Sequence, residues 1–128
     1  MLALGIALAV IAAFVFSSSY YVLMSPFEQR ALGGGGPDRG KPKPWKVLAE
    51  LLRTAIVTSV FAWLADRGGD LSVSGGVVLA LMLWAAFPAV LLTGSIIWEK
   101  THPATAALHA GDWLLKLLLI AVILGLLH

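Results

Sequence analysis

The chain has 128 residues, of which 59% are hydrophobic and 12% charged, with a formal net charge of +2 and no cysteine. Soluble domains average roughly 45–50% apolar and 25% charged residues, and a chain this short cannot bury so much apolar surface in one core. The composition therefore excludes a soluble globular protein and a disordered one, and the lack of cysteine excludes disulfides, thiolate nucleophiles and cysteine-based metal sites.

The first hydrophobic segment is Leu2–Met24, apolar without interruption to Phe16 and semi-polar from Ser17 to Tyr21. At about 1.5 Å per residue it covers roughly 34 Å, enough for a bilayer core of about 30 Å. Ser25–Lys46 reads as a linker, because Gly33–Gly36 is followed by Pro37, Gly40, Pro42 and Pro44. That composition predicts a flexible stretch and then a stiffer extended one, with Pro44 suited to the first turn of the next helix. Gly33–Gly36 is no phosphate loop, since no Gly-Lys-Ser/Thr follows it and no strand precedes it.

The second span is Val47–Ala65, with Glu50 and Arg53 in its first two turns, and Asp66–Ser72 is a polar loop. The third span, Val73–Trp98, contains Pro88. Proline cannot donate to the carbonyl of Trp84, so a kink is predicted there. Glu99–His102 is a short turn, Pro103 opens the next helix, and Ala104–Leu127 is the fourth span. The expected architecture is all-α: one integral membrane domain over 1–128, a four-helix transmembrane bundle with its third helix kinked. No internal repeat and no strand pattern is visible.

Lysine and arginine near span ends mark cytoplasmic loops. Arg30, Arg39, Lys41, Lys43, Lys46, Arg53 and Lys100 fall on one side and Arg67 alone on the other, seven against one. Loops 25–46 and 99–103 are expected in the cytoplasm and both termini outside. A cleaved signal peptide fits poorly, because the first span has no basic n-region and cleavage would export the most basic loop. Tyr20, Tyr21, Trp45 and Trp98 are expected as anchors at the cytoplasmic interface and Trp63 at the outer one, with Trp84 and Trp113 packing deeper.

Thr105, His109, Asp112 and Lys116 are spaced by four, three and four, which places them on one helix face. Lys116 falls near mid-span, where an isolated charge costs about 2.5–3.5 kcal/mol on insertion scales. Asp112, one turn away, is its natural partner. The pair either neutralises itself and holds helices in register, or serves a proton, ion or substrate path, or meets a charge on another subunit. With Glu50 and Arg53 these residues form a candidate intramembrane polar cluster, and Ser18, Tyr21 and Thr105 are candidate lining residues of a cytoplasm-facing cavity closed by an apolar outer half. His109 and Asp112 are two metal-ligand types, but a site needs three or four, so no metal is expected. Gly5 with Ala9 and Ala13, Ala107 with Gly111, and Ala121 with Gly125 are small residues four apart that permit close helix approach, within the unit or between copies.

Leu83–Leu127 resembles the C-terminal half of a bacterial four-helix membrane family, domain-of-unknown-function family 1761. The Phe87–Thr93 run, the Glu99-Lys100 turn, His109-Ala110-Gly111 followed by Trp113-Leu114, and Ile123-Leu124-Gly125 carry the likeness, and Tyr21 through Ser25-Pro26 is similar to the family's exit from the first span. At Asp112 and Lys116 the chain departs from the family's usual aromatic or apolar residues. The resemblance implies a multi-pass protein of the bacterial inner (plasma) membrane and brings no activity and no catalytic residues.

The leading functional expectation is a non-enzymatic accessory or structural membrane component acting by helix–helix association. The alternatives are a subunit of an oligomeric transporter using Asp112 and Lys116, and an enzyme on a lipid or isoprenoid with His109 and Asp112 as acid–base groups. Expected partners are membrane lipids and a second copy or another membrane protein, with no nucleic acid and no cofactor. The orientation has a direct test. A reporter active only in the cytoplasm should be silent when fused after His128 and active when placed at Gly35, and the reverse pattern would overturn the assignment.

Overall fold

A computed structural model describes residues 2–33, 44–68 and 72–127. Five helical segments follow one another: α1 (Leu2–Ala31), α2 (Pro44–Arg67), α3 (Val73–Ala86), α4 (Pro88–Trp98) and α5 (Pro103–Leu127). No strand occurs among the described residues. Counting α3 and α4 as one broken span, four helices are long and apolar enough to cross a membrane.

Local chemistry sets the helix ends. Pro44, Pro88 and Pro103 each open a helix, where a missing N–H costs nothing because the first turn has no acceptor for it. Ser72, in extended geometry, caps α3 by accepting from the Gly75 amide at 3.2 Å. At the α4–α5 turn the Glu99 and Thr101 amides both donate to Ser95 O, and Lys100 takes a positive φ of 56°. The His102 ring Nδ1 then accepts from the Ala104 amide at 3.0 Å.

The two prolines within apolar runs behave differently. At Pro88 the helix breaks as predicted. Phe87 turns out to φ −115°, ψ −77°, its amide still bonds Leu83 O at 3.0 Å, and α4 restarts at Pro88. At Pro26 it does not break. The composition predicts a linker from Ser25, yet α1 continues to Ala31 with Pro26 inside it. The turn after Pro26 is held by tertiary contact, since Glu28 is buried and accepts a hydrogen bond from Thr105 of α5. The linker is therefore shorter than 25–46, and the part of it at 34–43 lies outside the described residues.

α5 is the organising element. It packs against α1, α3 and α4, while α2 packs mainly against α1. Its inner face runs Leu108, Asp112, Lys116, Leu117, Ile120, Ala121 and Leu124, all buried. Ala9 and Ala13 of α1, Phe61 and Ala62 of α2 and Ala80 of α3 complete the core. The small-residue pairs serve these internal seams. A Cβ on Gly76 would stand 3.2 Å from Ala121 Cβ, and one on Gly125 would meet the Val73 amide nitrogen at 2.7 Å. Real Cβ atoms do not tolerate the second distance, so Gly125 lets α3 begin directly against α5. Large side chains such as Leu8, Ile56, Met82 and Leu91 point outward instead, the arrangement that hydrocarbon surroundings favour and water does not.

Candidate polar seam between the first and last helices

The α5 face predicted from spacing is present, and α1 supplies its partners in antiparallel order. Thr105 Oγ1 donates to Glu28 Oε2 at 3.1 Å. One turn further along, Tyr21 Oη and His109 Nδ1 are 2.5 Å apart. Tyr20 Oη donates to the Leu108 carbonyl at 2.7 Å, and its ring stands edge-on to Tyr21 with centroids 5.4 Å apart. Gly111 makes room for that hydroxyl, since a Cβ there would lie 2.7 Å from it. From the other side, Trp84 Nε1 of α3 donates to the Ala110 carbonyl at 2.8 Å. Two backbone carbonyls of α5 thus accept side-chain donors from two neighbouring helices.

Asp112 and Lys116 close the seam at mid-span. Lys116 Nζ lies 3.1 Å from Asp112 Oδ2, with side chains only 3% and 2% exposed. The ammonium also stands 3.9 Å from the centroid of the Trp113 ring, a cation–π contact that strengthens where water is excluded. The second carboxylate oxygen, Asp112 Oδ1, is buried with no hydrogen-bond partner among the described residues, as is Thr58 Oγ1 on α2. Past Lys116 the inner face is apolar, from Leu117 to Leu124.

Several sequence expectations need correction here. Glu50 and Arg53 do not join the cluster. They pair with each other on an exposed face of α2, because a spacing of three on one helix lets them meet without any other helix. Ser18 is exposed and lines nothing, since it lies off the α1 stripe that faces α5. Tyr20 and Tyr21 are half-buried and hydrogen-bonded to α5, whereas Trp45, Trp63 and Trp98 are exposed. Tyr21 and Thr105 do reach the seam. Glu28 was missed, because the proline before it reads as a helix exit. The signal that could have found it is the helix-forming run Glu28–Ala31, in register with the preceding span.

Around Tyr20 and Glu28 the seam opens into a cleft of about 180 Å³ walled by Met24, Phe27, Ala104, Ala107 and Leu108. Among the described residues no group of three His, Asp or Glu is placed to hold a metal ion.

The mid-span pair has a thermodynamic signature. Removing one partner strands a buried charge, at a cost of about 3–5 kcal/mol, whereas replacing both with apolar residues is far milder. In detergent, Lys116→Leu and Asp112→Leu should each lower thermal stability more than the double variant does. Additive single effects would show that the two groups do not interact.

No curated protein and no solved structure matches this chain. The family described as "Protein of unknown function (DUF1761)" matches residues 4–125. That match takes in all four spans and both sides of the polar seam, so the chain belongs to this family of unknown function.

Proposed function

We propose that the protein is a small, non-enzymatic membrane component that acts through helix–helix association. In this reading it lies in the plasma membrane with both termini outside and its first and third loops in the cytoplasm. The observation that carries the reading is the state of α4. None of its residues is buried. Val90, Leu91, Ile97 and Trp98 are all exposed, and a Cβ placed on Gly94 would meet nothing within 4 Å. Its hydroxyls turn back on their own helix, Thr93 to Ala89 O at 2.7 Å and Ser95 to Leu91 O at 3.2 Å. The helix thus offers a dry face with a small residue in it, the type of surface on which membrane helices associate by close packing.

A second reading, a transporter subunit, draws on one observation, the buried Asp112 Oδ1, which has no hydrogen-bond partner among the described residues. Intramembrane ionisable groups are a default signal for a path. The apolar inner face beyond Lys116 weighs against a continuous aqueous route within one chain.

The two readings separate in one preparation. Extracted in mild detergent, the wild type should run larger than a monomer, and Gly94→Ile should return it to monomer size without loss of stability. A strictly monomeric, partner-free wild type would overturn the association reading. Solute or ion flux in liposomes that disappears with Lys116→Leu would favour the transporter, and equal behaviour of the two proteins would remove it.

A further inference from the structure

The break in the third span falls at the middle of the bilayer. α3 contributes 14 residues and α4 contributes 11, so the junction lies about midway along the span, roughly 15 Å from either interface. A helix end has four carbonyls or four amides with no partner of its own. Of the last four carbonyls of α3, that of Leu83 accepts from the Phe87 amide. Those of Trp84, Ala85 and Ala86 accept no backbone bond across the break among the described residues. Of the first four residues of α4, Pro88 has no N–H and the Leu91 amide donates to Phe87 O. The Ala89 and Val90 amides are left over.

No nearby side chain makes up the difference. Thr93 and Ser95 donate to Ala89 O and Leu91 O within α4, and Trp84 Nε1 turns inward to Ala110 O. The break also lies on the outside of the bundle. Ala85, Ala86, Phe87 and Val90 are exposed, and Trp84 and Ala89 are half-buried. Hydrocarbon offers neither donors nor acceptors, so interrupted backbone at this depth persists only where protein covers it or water reaches it.

We propose that a second copy of this chain covers the break, and that the two copies exchange backbone hydrogen bonds there. The Ala89 and Val90 amides of each copy donate to the Ala85 and Ala86 carbonyls of the other. This inference rests on the association reading of α4 and names its partner and its point of contact. The patch is self-complementary, because helix carbonyls point toward the C-terminus and amides toward the N-terminus. The end of α3 therefore offers acceptors and the start of α4 offers donors, within one turn of chain. Two copies with the same orientation place their breaks at the same depth. Across a two-fold axis along the membrane normal, residue i meets j and j meets i, so the donors of each copy face the acceptors of the other. A partner presenting only donors or only acceptors would satisfy half of the break. Gly94, one turn past Val90, has open space around it and lets the two α4 helices approach closely.

The chain has no cysteine, so single-cysteine variants of the full chain report the contact directly. In membranes oxidised with copper phenanthroline, Phe87→Cys and Val90→Cys should cross-link into dimers, while Ile56→Cys, exposed on α2, should not. Pro88→Ala tests the backbone exchange itself. It restores the missing amide and lets the carbonyls at the end of α3 pair within a continuous helix. Thermal stability of the monomer in detergent should rise, while dimerisation weakens about tenfold, the ratio that about one net hydrogen bond supplies. Dimers that are lost in Gly94→Ile but cross-link at neither Phe87→Cys nor Val90→Cys would overturn this contact and leave association through α4 standing. Undiminished dimerisation of Pro88→Ala would do the same. A monomeric wild type would overturn both. Labelling of Phe87→Cys in membranes by a charged, water-soluble thiol reagent would show that water covers the break, and would overturn the proposal as well.

Discussion

A lysine ammonium placed halfway along a membrane-spanning helix cannot face hydrocarbon, and it is too far from either interface to escape by extending its side chain. Lys116 therefore forces α5 inward. Asp112 one turn before it and the Trp113 ring beside it supply an anion and a π face, but both groups still have to be covered. α1 and α3 pack most extensively on α5, and the buried Ala9 and Ala13 on one and Gly76 and Ala80 on the other are small enough for close approach. The rest of the packing follows from that requirement. The inner face of α5 is buried over much of its length, while no residue of α4 is buried.

The polar seam extends the same logic toward the α1–α5 end of the bundle. In a medium without water, a side-chain donor needs an acceptor within the protein. Tyr20 and Trp84 find theirs on the α5 backbone, Tyr21 finds His109, and Thr105 finds Glu28. Each bond spans two helices, so together they fix the register of α1 and α3 against α5. At its α1–α5 end the seam widens into the cleft bordered by Glu28 and Phe27.

Part of the candidate site is legible in the sequence. A spacing of four, three and four defines one face on any α-helix, so Thr105, His109, Asp112 and Lys116 had to share one, and an i, i+4 Asp–Lys pair had to be within reach. What that spacing cannot say is which helix lies opposite. Glu50 and Arg53 looked like members of the cluster by depth, yet they satisfy each other on the outside of α2. Ser18 and Tyr21 are near neighbours on α1, and only the second points at α5. Glu28 was hidden by Pro26, since a proline in an apolar run signals a helix exit unless tertiary contact holds the next turn.

Sequence alone determined the properties that depend on composition and helical period. These are four spans long enough for a bilayer, the all-α class, the break at Pro88, and the shared face of the α5 polar residues. They follow from the chain's covalent chemistry and from the hydrocarbon's refusal of unpaired backbone groups, and neither needs a partner element. Tertiary structure alone decided that α1 continues through Pro26 to Ala31, that Tyr20 and Glu28 belong to the seam, and that α4 keeps no buried residue. Each of those depends on energies between segments distant in the chain. A buried hydrogen bond from Thr105 to Glu28 joins opposite ends of the sequence, and no local pattern encodes the rotation and register at which two helices meet.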